Sequence, residues 1–178
     1  MILMIDTDKL TVTKQETPKE QKDPVTIADL MKVHRGVKEY EDIVKDIQTW
    51  YYGSPVEAPW CATAISYFAD KAGVLEQMGG KADNVYDMWM QCLSKSPLQC
   101  YGLGTVQKPD FKILKGDVLF WLWKGGTMTA NSSKHVGTSE MTQSGCDLFC
   151  LGGNQKDKIC TMKYYRKYLW GVFRPNYN

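Results

Sequence analysis

Two residues, Cys61 and His135, carry the first chemical reading of this chain. There are six cysteines but only two histidines, and a thiol nucleophile needs an imidazole near it in space rather than in sequence. His34 falls inside a helical pattern and reads as a helix-face residue. That leaves His135, at the head of a strand-like stretch, as the base. Cys61 follows Pro59-Trp60 and opens a helical pattern. A helix N-terminus offers unpaired N–H groups and the positive end of the dipole, and both favour thiolate over the ordinary thiol pKa of about 8.5. The same N–H groups can hold an oxyanion. The expected chemistry is attack of Cys61 on an amide carbonyl, with His135 taking the thiol proton and then activating water against the thioester.

A third member follows from strand parity. A hairpin centred on Ser144-Gly145 would oppose His135 to Asn154, with Cβ atoms about 5 Å apart on one face. Glu140 has the opposite parity and would face the other side, so Asn154 is the expected orienting residue of the imidazole. Cys146, Cys150, Cys160 and His135 can be drawn as a metal set, but their spacing matches no common ligand pattern and there is no C-x-x-C pair. No metal and no cofactor are expected.

The elements that must hold these residues are helical first and strand-like after. A helix opened by Pro24 carries Ile27, Leu30, Met31 and His34 and ends at Gly36. A second runs from Glu41 to Tyr51, before Gly53-Ser54-Pro55. The third, from about Trp60 to Ala72, places Cys61, Ala64, Ile65, Phe68, Ala69 and Ala72 on one stripe, with Gly73 as its stop. A fourth spans Ala82 to Leu93, and Cys100 to Lys112 reads as a loop. Val118 to Trp123 is a continuous apolar run, the mark of a strand buried on both faces. His135 to Thr142, Cys146 to Asn154, Ile159 to Met162 and Leu169 to Phe173 are further strands. This order predicts an α+β domain with N-terminal helices packed on a small antiparallel sheet. Residues 1–23 read as a polar arm or linker, and 24–178 as the domain.

Composition narrows the function classes. With 43% hydrophobic and 24% charged residues among 178, the chain is an ordinary globular one. A net charge of +2 is too mild to suggest nucleic-acid binding. No apolar run approaches the roughly 20 residues that span a bilayer, so no membrane insertion is expected. The short apolar patch at Met1–Asp6 has no basic region before it, so no secretory signal is expected and reduced cysteines are the default.

Several segments together resemble a known family. Pro59-Trp60-Cys61-Ala62, with a helix ending Lys71-Ala72-Gly73, is similar to the nucleophile segment of the CHAP family (cysteine, histidine-dependent amidohydrolases/peptidases). Lys115-Gly116-Asp117-Val118 resembles its Gly-Asp-Val strand, and His135-Val136-Gly137 its histidine strand. Gly36-Val37-Lys38-Glu39, Leu151-Gly152-Gly153-Asn154-Gln155 and Trp170-Gly171-Val172-Phe173-Arg174-Pro175 resemble segments of a phage-associated branch. The likeness runs over roughly residues 27 to 176. It implies a papain-like/NlpC-like fold and cleavage of bacterial peptidoglycan, either at the muramoyl–L-alanine amide or within the peptides. It also implies an endolysin released from the host cytoplasm to the wall, with a holin as partner, or a virion-associated lysin. Cys61, His135 and Asn154 would be catalytic, and Trp60 and Gln155 would line the substrate groove. Lys134 stands where glycine is common, and Thr138-Ser139 replaces a more apolar pair. A non-catalytic wall-binding or virion structural module of the same fold, and an interbacterial amidase toxin, are the alternatives.

Overall fold

A computed structural model describes residues 23–124, 127–132 and 134–178. The expected arm at 1–23 lies, but for its last residue, outside them. Helix α1 is Ile27–Lys32. It begins later than Pro24 because Thr26 caps it: its hydroxyl accepts from the Asp29 N–H while Asp29 reaches back to the Thr26 backbone. Helix α2, Asp42–Tyr52, ends on Gly53 at φ 81°, a conformation that favours glycine. Helix α3 is Cys61–Lys71 and α4 is Val85–Lys95, the latter capped by Asn84. In α3 the stripe anticipated from spacing is buried from Cys61 to Ala69, with Ala72 half-buried at the cap, and Ala62, Thr63 and Ser66 are buried too, so the helix is enclosed on nearly every side. Ile65 and Phe68 are 0% and 2% exposed, each a gain of roughly 2 kcal/mol over a solvated side chain. That burial fixes the position of the helix N-terminus, where Cys61 sits.

Strands β1 (Cys100–Tyr101), β2 (Val118–Leu122), β3 (Lys134–Thr138), β4 (Asp147–Gly152), β5 (Cys160–Tyr165) and β6 (Leu169–Phe173) form one antiparallel sheet in the order β1-β6-β2-β3-β4-β5. The α+β expectation therefore holds. Strand β2 is buried throughout because both faces are covered. Val118, Phe120 and Leu122 join the helix-side core, while Leu119 and Trp121 pack with Val106, Leu148, Cys150, Leu169 and Val172 on the other face.

Two departures from the sequence reading have local causes. The stretch from Cys100 to Lys112 is not all loop: Cys100 and Tyr101 pair with Phe173 and Val172, and a helical turn α5 follows at Leu103–Val106. A two-residue strand has too few positions to show alternation. The β3–β4 connection is also wider than a tight hairpin. The pair in register, Thr138 with Leu151, is the one a turn centred on Ser144-Gly145 requires. But β3 ends at Thr138, and Gln143 bridges back to Ile113 while its side chain ties Ser139 to Phe149. Strand β4 finds its full partner in β5 instead.

A clasp closes the domain beside β2. Asp117, 1% exposed, accepts from Arg174 Nε and Nη2 at 2.9 and 2.8 Å and from the Leu114 N–H at 2.8 Å. Arg174 also donates to the Lys112 carbonyl and stacks over Tyr101 and Phe111. Two segments that looked like separate motifs, Gly116-Asp117 and Arg174-Pro175, are thus the two halves of one structural ion pair.

Candidate functional site

Cys61 is the first residue of α3, and α3 packs on β3. The sulfur lies where the sheet comes apart. Past Thr138–Leu151, β3 and β4 stay unpaired toward the His135 end, and the Cys61 thiol faces the backbone N–H of Val136 there, together with those of Cys61 and Ala62. The residue next to Val136 is His135. The Cys61 thiol thus lies against the histidine's strand, but the His135 imidazole takes the other face of the sheet: it is opposite Trp121 in the register and lies against Trp123 and Tyr164, and among the described residues no hydrogen bond joins it to Cys61.

Electrostatics at the pair differ from the expectation. Burial pushes the Cys61 thiol above its ordinary value, and this outweighs the N–H groups of Val136, Ala62 and Cys61 and the charge of Lys134, all of which favour thiolate. Burial also pulls His135 down to about 4 from 6.5. The helix N-terminus therefore does not produce a resting thiolate: the resting pair is a neutral thiol and a neutral imidazole.

The surroundings of His135 are mostly aromatic. Its ring stacks on Trp123 at 6.5 Å and meets Tyr164 at 6.1 Å. Nε2 is buried and has no hydrogen-bond partner. It points at Gly152, where an added Cβ would lie 2.6 Å from it and 2.3 Å from Gln155 Nε2. Gly152→Ala should therefore displace the imidazole or the Gln155 amide and destabilise the fold by about 1–3 kcal/mol. Urea unfolding of the variant measures this; a change below about 0.5 kcal/mol would show that the contact can relax.

The predicted site residues separate here. Asn154 does not pair with His135. It lies beyond the end of β4 at φ 55°, half-buried, and among the described residues no hydrogen bond joins it to the imidazole. The correction has a physical reason: the chain leaves β4 after Gly152, before the hairpin register reaches His135. Glu140 faces away, as parity predicted, and bonds Arg35 and Thr161. Trp60 is not a groove wall. It is 1% exposed and packs against Gly153, where an added Cβ would meet the indole at 2.6 Å. Gln155 is not a groove residue either. It is 3% exposed, donates to the Cys150 and Cys160 carbonyls, and accepts from the Tyr164 hydroxyl at 2.8 Å. Each of the six cysteines is a free thiol, and among the described residues no group of three or more His, Cys, Asp or Glu side chains could hold a metal ion.

A cavity of about 400 Å³ opens at Cys61, lined by Tyr52, Pro59, Asp83, Asn84, Ser132 and Lys134 among others. No local pattern marks this wall, because it is assembled from the end of α2, the cap of α4 and the loop before β3. Tyr164 was equally hidden as a neighbour of His135, since β5 reaches the site only through its register with β4, whereas Trp123 comes there from the end of β2, whose partner is β3.

The neutral His135 has a measurable consequence. Between about 6.5 and about 4 the unfolded chain binds a proton that the folded chain does not. Stability is therefore unaffected by this group above pH 6.5 and falls as pH drops toward 4, by about 3 kcal/mol in all. His135→Gln removes this dependence. Denaturant titrations of both proteins at pH 7 and pH 4 should show the gap between them shifting by that amount in favour of the variant at low pH. Parallel curves would show that His135 is protonated normally in the fold.

Comparison with known proteins returned no matching family model, no matching curated protein and no matching solved structure.

Proposed function

We propose that this chain is a thiol-dependent amidohydrolase with a papain-like/NlpC-like fold, of the CHAP type, that cleaves amide bonds of bacterial peptidoglycan. The observation that carries the reading is the seat of the Cys61 thiol: at a helix N-terminus, against the Val136 N–H beside His135, at the opening of a cavity. In this reading His135 is the base that takes the thiol proton, which requires the imidazole to turn from its aromatic neighbours Trp123 and Tyr164 toward Cys61. Sulfur attacks the carbonyl as that proton moves, and the N–H groups at the start of α3 stabilise the oxyanion. The protonated imidazole then gives its proton to the departing amine, and water assisted by His135 releases the acyl group from sulfur. Because both groups rest neutral, the proton moves during attack rather than before it. The resemblance in motif order supports peptidoglycan as substrate, with the protein working as an endolysin released to the wall or as part of a virion.

A second reading, a wall-binding module without turnover, is favoured by one observation: the buried Nε2 of His135 has no group to orient it. One experiment separates the two. Purified peptidoglycan is digested with wild type and with Cys61→Ala, and the products are analysed by mass spectrometry. New amino termini from wild type alone support the hydrolase and identify the bond; identical digests, with the wall still bound, support the module.

A further inference from the structure

We infer that the cavity at Cys61 selects its substrate through a primary ammonium group, held by the Asp83 carboxylate beside the Tyr52 hydroxyl. The inference rests on the proposed hydrolase reading for where the scissile bond lies, and it adds what the neighbouring part of the substrate must carry.

The cavity has Cys61 on its wall with Tyr52, Asp83 and Asn84 from the helices, and Ser132 and Lys134 from the loop and β3. Its one described cation is already engaged. Lys134 Nζ donates to the carbonyls of Thr129, Ala130 and Ser132 at 2.9, 2.5 and 3.2 Å, which uses all three of its protons. It holds the loop and has no donor left for a substrate carboxylate. Asn84 is engaged too: its side chain caps α4 by accepting from the Asp87 N–H at 2.8 Å.

Asp83 is different. Among the described residues no ion pair holds it. The nearby Lys81 donates to the Trp50 carbonyl and lies 4.0 Å above the Trp50 ring, away from the cavity. Asp83 is an exposed residue that shares the cavity lining with Tyr52. Burial first, and then the Asp83 charge, push the Tyr52 phenol up to about 12, so its hydroxyl stays protonated. A substrate group arriving here meets the Asp83 carboxylate, the Tyr52 hydroxyl and an aromatic ring. A carboxylate would be repelled, and an alkyl group would strip water from an anion without compensation. An ammonium gains a charge-assisted hydrogen bond to Asp83 and a favourable approach to the Tyr52 ring.

Two parts of a wall peptide supply that chemistry: the α-amino group of a stem peptide already freed from its sugar, and the side-chain amine of a diamino acid not yet cross-linked. The test uses four synthetic stem peptides with lysine as third residue: unmodified, acetylated at the α-amine, acetylated at the lysine amine, and acetylated at both. Wild type should show kcat/KM at least tenfold higher on peptides that keep the selected amine, and the acetylation that removes the preference identifies which amine it is. In Asp83→Asn the preference should fall below threefold. Binding to Cys61→Ala, with and without Asp83→Asn, is measured calorimetrically on the same peptides. Asp83-dependent binding of ammonium peptides without wild-type cleavage would sink the hydrolase reading and leave the ammonium site standing. Equal cleavage of all four peptides, a preference that survives Asp83→Asn, or binding indifferent to acetylation would overturn the site itself.

Discussion

Cys61→Ala should lower hydrolysis of peptidoglycan by at least about 10³-fold, because loss of a nucleophile removes the covalent route while leaving only binding and oxyanion stabilisation. The fold should survive. The substitution deletes one sulfur from a side chain that touches the cavity and is 9% exposed, and a small buried deletion of this kind costs about 1 kcal/mol. Alanine at 61 also keeps the start of α3 helical, since alanine is the best helix former. Activity on purified wall and urea unfolding of the same preparation must therefore be measured together. Activity within tenfold of wild type would remove Cys61 from the chemistry. The neutral resting pair adds a second signature: alkylation of Cys61 by iodoacetamide should be slow at neutral pH and should accelerate as pH rises past the ordinary thiol range, because burial holds the thiol protonated. Fast alkylation at pH 6 would instead indicate a thiolate–imidazolium pair.

Arg174→Met should destabilise the domain by about 3–5 kcal/mol, since it leaves the Asp117 carboxylate in the interior without its counter-charge. Against an ordinary total of about 5–15 kcal/mol, that is a large fraction of the stability. Desolvation pushes Asp117 up and the Arg174 guanidinium pulls it down; without the arginine only the first effect and the Leu114 N–H remain. Asp117→Asn should cost less, because the side chain it abandons is 28% exposed and can be hydrated. The double variant, Asp117→Asn with Arg174→Met, should recover part of the loss, which a double-mutant cycle in urea reads directly. An Arg174→Met protein within 1 kcal/mol of wild type would show that the clasp is not a stabilising element. The site should feel this loss as well, because Asp117 leads into β2, and β2 carries β3 and therefore His135.

Much of the fold was visible in local pattern. The stripe on α3, the glycine stops at Gly53 and Gly73, and the uniformly apolar β2 each report a constraint that a few neighbouring residues satisfy among themselves: helical period, positive φ, burial on two faces. The thiol at a helix start and the histidine on a strand are readable for the same reason. The hairpin register was readable too, and Thr138 opposite Leu151 follows it.

What sequence could not supply is how far that register continues and what fills the space where it stops. Strand separation beyond Thr138 depends on β4 bonding β5 along its full length and on Trp60 occupying the space over Gly153. These are contacts between distant segments, and they place Asn154 past the strand end and bury Trp60 and Gln155. Ionisation was equally out of reach. A helix N-terminus argues for thiolate from one local effect, whereas the state of Cys61 is the balance of that effect against desolvation by the whole surrounding core. Local geometry is written in neighbouring residues; burial, charge state and the wall of a cavity are sums over the packed molecule, and exist only once it has folded.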